Sequence, residues 1–480
     1  MIYIDSIILI LFVIKSVDFV YLFQIKEYRF DRFMSAMREM GIVSTLYTRT
    51  PRIPAKTIRN ATLMLWLLAS MGAVILFLSM LSNIWEALGY LIFTPVIALC
   101  WMAVGVDVTN IAARRKRTRI IHRAKKILEQ SKVTRVGITG CYGKTTTKEF
   151  LAALLSAEAH TAKTIKNWNT DVGVALSILS ELKTDTRYFI AEVGGYTQGE
   201  IGSIAQWLKP QFGFFTGMGN QHVDLYGSQQ ALMDGETELL AQIPPQGIAY
   251  INADAPELAY VTSRCHCPVV TYSFSNSHAD IYFSNHRVAD GKQYANVHYR
   301  GTTYQISSCL IGSHILMNLL PCIAFCLDQH IPWEHIAKTI ETLKPIPGKL
   351  SQHIGPSNSV ILNDSANTNV EGCIAAIQTT NSYPQPKKYM ITKGIIELGN
   401  QKNESYRRII EALDKTEITF ITTDGMFYEV AHHTNNCVVQ QNESDIIAYL
   451  KNKIDQHTVI TLEGKFTKFF IKQFVNHKTV

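Results

Sequence analysis

Residues 61–81, ATLMLWLLASMGAVILFLSML, run for 21 positions without a charge. At 1.5 Å per residue a helix of that length matches the hydrocarbon core of a bilayer. A second uncharged run, LGYLIFTPVIALCWMAVGV, covers 88–106, and the short linker between the two carries Glu86 as its only charge. Neither run has a polar face, so a tight helical hairpin in a membrane is expected rather than a helix pair in a soluble core. The N-terminal stretch 6–23 is read as a further span, with an interfacial helix as the alternative. Its Lys15 and Asp18 are three residues apart, placed to pair on one helical face. It has neither the basic start nor the small-residue cleavage site of a signal peptide. Residues 1–110 are therefore predicted to be a membrane region with spans near 6–23, 61–81 and 88–106.

Charge orients this region. Residues 24–60 hold Lys26, Arg29, Arg32, Arg38, Arg49, Arg52, Lys56 and Arg59 against three acids, and RRKRTRIIHRAKK (114–126) has eight Lys and Arg and no acid. Positive flanks stay on the cytoplasmic side, so a multi-pass protein with the rest of its chain in the cytoplasm is expected. The basic run 111–132 reads as a juxtamembrane linker. It accounts for the net charge of +7 and suits an anionic lipid surface. No groove-reading or single-strand-binding signature accompanies it, so nucleic acid is not an expected partner. The nine cysteines are scattered, with Cys265-His266-Cys267 the only close group. Disulfide and metal frameworks need repeated CxxC-like spacing, and a reduced cytosolic setting fits.

From Val133 the texture changes. VTRVGIT (133–139), RYFIAEV and QFGFFTGM are β-rich runs separated by helical stretches, the pattern of a parallel sheet covered by helices on both faces. Residues 266–308 (VVTYSF, DIYFSNHRV, YANVHYR, TTYQISS) read as short antiparallel strands, followed by a helix at 313–328. Pro332, Pro345 and Pro347 punctuate a boundary. Beyond it SVILNDSA, KKYMITKG, TFITTDG and HTVITLEG alternate with helices as a second α/β unit. The expected fold is α/β: a parallel-sheet domain at 133–335 with a phosphate loop, and a Rossmann-like C-terminal domain at 336–480.

The stretch TGCYGKTTTKEF (139–150) places glycines and a Lys-Thr-Thr at the turn from strand to helix. The glycine that a strict Walker loop has six residues before the lysine is Ile138 here. The physical requirement is still met. Gly140 and Gly143 let backbone N–H groups turn toward one anion, the helix N-terminus adds positive potential, Lys144 bridges phosphates, and a Thr hydroxyl reaches Mg²⁺.

This loop resembles the ATP loop of the Mur ligase family, and further matches follow in the family's order. NWNTDVGVALSIL is similar to the segment whose Asn-x-Asn faces the phosphates, here Asn167 and Asn169. FIAEVGGYTQGEI is similar to the strand bearing a magnesium-binding glutamate, here Glu192, and NQHVDLYGS to the loop with a metal histidine, here His222. GSHILMNLL resembles the nucleotide-base helix, with Asn318. LNDSANTNVE resembles the ribose-facing segment, with Asp364, and MITKGIIELG the C-terminal-domain motif ending Glu-Leu-Gly.

The resemblance implies an ATP-dependent amide-bond ligase working through an acyl phosphate, with ATP and two Mg²⁺ ions. Lys144, Glu192 and His222 would be catalytic. Thr139, Gly140, Gly143, Lys144, Thr145, Thr146, Asn167, Asn169, Asn318, Lys349 and Asp364 would bind ATP. Thr145, Glu192, His222 and Glu236 would hold metal. The nearest branch adds D-alanyl-D-alanine, so the substrates implied are a peptidoglycan-precursor carboxylate and an amino acid or dipeptide. The alternatives are an amide ligase of the poly-γ-glutamate or folate type, and a membrane-bound pseudo-ligase that only binds ATP. The chain departs from the family at several positions. Glu236 stands fourteen residues after His222 where relatives carry a carbamoylated lysine, and supplies the same anion without bound carbon dioxide. Ile315 replaces an adenine-facing Asn, Lys349 an arginine near the ribose, and Glu463-Gly464-Lys465 a Lys-Gly-Ser. The family's UDP-sugar domain has no counterpart in residues 1–132.

Overall fold

The computed structural model describes residues 2–78, 84–219, 223–289, 292–366, 368–395, 398, 401–431 and 436–475. His222 lies outside them, as do the end of the 61–81 run and Glu397 and Gly399 of the Glu-Leu-Gly motif. The chain divides into two compact units, residues 1–122 and 123–480.

From the N-terminus α1 (Ile2–Ile25), α2 (Phe30–Met40), α3 (Ile58–Leu78) and α4 (Ile84–Gln130) follow in order, the last eight residues of α4 being counted with the second unit. α1, α3 and α4 are each long and apolar enough to cross a membrane. Together with α2 they share a core of Phe12, Phe19, Phe23, Phe33, Leu67 and Met102, with the Phe23 and Phe33 rings stacked at 4.2 Å. Gly105 lets α3 approach α4: a Cβ there would stand 2.8 Å from Trp66. Two expectations change here. Asp18 is fully buried, but its partners are the Arg52 backbone N–H (3.0 Å) and Arg49 (3.4 Å), while Lys15 donates to the Thr45 carbonyl at 3.4 Å. The segment that follows α2 folds back onto α1 and satisfies each charge separately, which a reading of one helix face misses. The basic run taken as a linker is helical, continuing α4 to Gln130. It contains neither Gly nor Pro, and Arg, Lys and Ala are strong helix formers.

The second unit holds two sheets. The first has nine strands: β1 (Thr134–Thr139), β2 (Thr161–Lys163), β3 (Tyr188–Glu192), β4 (Phe212–Phe215), β5 (Ile248–Asn252), β6 (Val269–Ser273), β7 (Ile281–Ala289), β8 (Lys292–Tyr299) and β9 (Thr302–Ser308). Their order is β2-β3-β1-β4-β5-β6-β7-β8-β9. β1 to β6 are parallel, and β7, β8 and β9 pair antiparallel as expected. β6, expected among the hairpins, instead pairs parallel with β5 over four residues and touches β7 through only two. α5 (Lys144–Ser156) and the helix Leu319–Asp328 cover one face, burying Phe150, Leu151, Leu154, Ile323 and Phe325.

The second sheet contains β10 (Ser351–Ile354), β11 (Val360–Asp364), β12 (Lys387–Thr392), β13 (Thr419–Thr422), β14 (Cys437–Val439) and β15 (Thr458–Glu463), in the order β10-β11-β15-β12-β13-β14. All but the edge strand β10 are parallel. In open parallel sheets ligands sit beyond the carboxyl ends of the strands. Thr139, Glu192, Asp364 and Glu463 are all last residues of such strands.

Candidate active site

β1 ends at the buried Thr139 and the chain turns through Gly140 (φ 122°) and Gly143 (φ 77°) into α5. Both angles lie in the left-handed region that favours glycine. A Cβ at Gly140 would come within 2.5 Å of Thr216 Oγ1, and one at Gly143 within 2.7 Å of Asn318 Oδ1, so neither position has room for a side chain. The first helical bond of α5 runs from Thr147 N–H to the Gly143 carbonyl at 2.9 Å. The N–H groups of Lys144, Thr145 and Thr146 precede it and make a cradle for an anion.

Glu236 supports this loop from behind. It lies on the helix Gln229–Thr237 and is 1% exposed, and its Oε2 accepts from the Thr139 hydroxyl (2.8 Å) and the Gly140 N–H (2.9 Å). Thr139 and Gly140 are thus held by the protein rather than aimed at a ligand. Lys144 bends back so that its Nζ donates to the Gly140 carbonyl. Burial works against its charge, but the Glu236 carboxylate, with Cys141 and then Glu192 adding to it, overcomes burial and raises the lysine pKa. Lys144 stays an ammonium, as a phosphate partner must.

Glu192, 2% exposed, closes the other side. Its backbone N–H donates to Thr164 Oγ1 at 3.0 Å, its Oε1 accepts from Asn169 Nδ2 at 3.3 Å, and its Oε2 meets Lys148 Nζ at 3.1 Å. Lys148 was missed by the sequence reading. The available signal was its place one helical turn after Lys144, on the same face of the helix. Asn167, by contrast, is exposed, and what ties it to the site is its carbonyl, which accepts from the Asn169 N–H at 2.9 Å.

The base-helix residue Asn318 donates to the His314 carbonyl (2.8 Å) and accepts from Thr147 Oγ1 (3.2 Å), packing against Gly143. His314 is half-buried, with an Nδ1 shut off from solvent and without a hydrogen-bond partner. Burial, then the Lys349 charge, lowers its pKa to about 4 and keeps it neutral.

A second cluster gathers Lys349, Asp364 and Glu463. β11 and β15 run side by side with Asp364 opposite Glu463. Burial raises the pKa of both carboxyls, that of Glu463 well above 4.5, and Asp364 raises Glu463 further while Lys349 opposes. Of the two, Glu463 is pushed further toward its protonated form, because the Asp364 charge adds to burial there. The sequence signal for Glu463 was its place as last residue of VITLE, like that of Asp364 in VILND.

The donor set near the loop is hard: the Thr145 hydroxyl and one carboxylate, with no cluster of three His, Cys, Asp or Glu among the described residues. Mg²⁺, which takes few protein ligands and fills its shell with phosphate oxygens and water, fits such a set. The side chains for a second ion rest on His222, outside the described residues.

Residues 138–326 match the Mur ligase middle domain. A UDP-N-acetylmuramoyl-tripeptide–D-alanyl-D-alanine ligase of Synechocystis is 28% identical over 326 residues, covering 66% of this chain and 69% of that protein. MurF from Acinetobacter baumannii superposes with a TM-score of 0.68 at 22% identity, over 74% of this chain and 79% of that one. MurF from Thermotoga maritima in complex with ADP superposes with a TM-score of 0.66 at 20% identity, over 73% and 80%. Residues 138–326 thus match the Mur ligase middle domain, the second unit has the fold of MurF, and the chain is similar to Mur-type ATP-dependent ligases over about two thirds of its length, with apolar helices ahead of the match.

Proposed function

We propose that this chain joins the carboxyl group of a peptidoglycan-precursor peptide to the amine of an amino acid or of D-Ala-D-Ala, at the cytoplasmic face of a membrane. The observation that carries the reading is the convergence of the glycine loop, a charged Lys144 and the strand-end Glu192 on one edge of a parallel sheet. A carboxylate is a poor electrophile. Transfer of the γ-phosphoryl group of ATP gives an acyl phosphate and ADP, and attack by the amine then forms the amide and releases phosphate. Negative charge crowds every stage, so positioning and positive charge do most of the work.

Lys144 and the N–H groups of residues 144–146 bind the phosphates. Thr145 and Glu192 hold Mg²⁺, which when bound neutralises phosphate charge. His222 and Glu236 would hold a second ion. Asn318, Lys349 and Asp364 receive the nucleoside. The apolar outer faces of α1, α3 and α4 meet lipid, and Arg114 to Lys126 meet anionic headgroups.

The experiment is ADP release by the full chain in nanodiscs, with UDP-linked or polyprenyl-linked muropeptide and D-Ala-D-Ala or single amino acids. Release that requires both a muropeptide and an amine is expected; a pseudo-ligase would give none with any pair. UDP-only turnover would exclude a lipid-linked acceptor. For Glu236, E236Q is expected to abolish turnover while bicarbonate leaves the wild-type rate unchanged, and a strongly bicarbonate-dependent wild-type rate would overturn the role given to it.

A further inference from the structure

The ion pair behind Glu192 has no part in the reaction as described above, and it is among the most completely buried pairs in the protein. Lys148 is 0% exposed. Its Nζ meets Glu192 Oε2 at 3.1 Å, lies 3.5 Å from Glu149, and donates to the carbonyl of Lys166. That carbonyl is aimed by an unusual backbone, since Lys166 has φ 49°, a left-handed conformation that a lysine seldom adopts. A buried ammonium without partners would cost several kcal/mol, so this much investment around one lysine fixes whatever it touches. What it touches is one of the two oxygens of Glu192.

We infer that Lys148 is a positioning residue which, by engaging Glu192 Oε2 with an ammonium, leaves Oε1, held only by the neutral Asn169 amide, as the oxygen a cation can take and so selects Mg²⁺ over larger ions. The inference rests on the reading of Glu192 as a metal ligand. Mg²⁺ accepts carboxylates through one oxygen in a tight octahedron at about 2.1 Å, whereas Ca²⁺ prefers six to eight ligands and often takes both carboxylate oxygens. Asn169 donates to Oε1 at 3.3 Å and steadies that oxygen without the charge that would compete with a metal. Lys148 thereby sets both the orientation and the denticity of Glu192. Outer partners of metal ligands typically change affinity by about 10- to 100-fold when removed.

The test uses the full chain with ADP and follows Mn²⁺ binding by electron paramagnetic resonance, with Mg²⁺ and Ca²⁺ as competitors. No ligase turnover is needed. The variants are K148M, K148R, which keeps charge and donors, and K148Q, which keeps a donor without charge and guards against misfolding of K148M. The expected result is about tenfold weaker Mn²⁺ binding in K148M and K148Q, a Mg²⁺/Ca²⁺ preference that narrows by a similar factor, and recovery of both in K148R. A merely structural lysine would lower thermal stability and leave the Mg²⁺/Ca²⁺ ratio alone. An unchanged ratio in a folded K148M or K148Q, with wild-type binding intact, overturns the inference and spares the proposed function. Absence of nucleotide-dependent Mn²⁺ binding in the wild type overturns both.

Discussion

Charge placement at single residues decides what this site can do. Lys144 is kept protonated by carboxylates that outweigh burial, so K144M should lower muropeptide-dependent ADP release at least ~100-fold, in line with the loss of a preorganised charge at a phosphoryl-transfer centre; a steady-state assay of ADP release checks this. Glu463 is the opposite case. Burial and the Asp364 charge raise its pKa above 4.5, so the folded state holds its proton more tightly than the unfolded chain does. Its contribution to stability is complete below about pH 4.5 and disappears as pH rises through the raised value. E463Q cannot ionise. Its melting temperature should therefore fall less than that of the wild type between pH 5 and pH 8, and parallel declines would show that the pair does not share a proton. Lys144, Glu192 and Asp364 were legible in the sequence because each sits in a motif at a strand end or helix start. Lys148 and the pairing of Glu463 were not, because their meaning comes from a partner 44 and 99 positions away.

The strand, loop and helix from Thr134 to Ser156 are the element on which the site depends, and their geometry leaves little tolerance. G143A would force alanine to φ 77° and drive its Cβ toward Asn318 Oδ1. The backbone term alone is of order 1–3 kcal/mol. The variant should melt at a lower temperature and bind ADP at least ~10-fold more weakly, as isothermal titration would register. The element was legible because an apolar strand, two glycines and a helix with a Lys-Thr start occur in unbroken order. The short strands β2, β5, β10 and β14 were not singled out, since three to five residues carry too little periodicity to stand out. β6 was placed with the hairpins because its alternation is the same in either pairing; only its neighbour β5 made it parallel.

For the whole molecule, the apolar helices predict behaviour no Mur ligase domain alone would show. The full chain should stay with the membrane pellet after alkaline carbonate washing and enter solution only with detergent; release by carbonate would reduce α1, α3 and α4 to peripheral contacts. The sequence by itself determined the two kinds of polypeptide here, since uncharged runs of 19 and 21 residues admit few environments and a glycine-bracketed Lys-Thr admits few ligands. It also determined the order of the motifs, and with it the class of chemistry. Tertiary structure alone decided which charges meet: Asp18 with Arg49 rather than Lys15, Glu236 with the loop backbone, Lys148 with Glu192, and Asp364 with Glu463. The reason is physical. Hydrophobic patterning is local and repeats along the chain, whereas a buried charge must find its counterpart wherever folding brings one within about 3 Å.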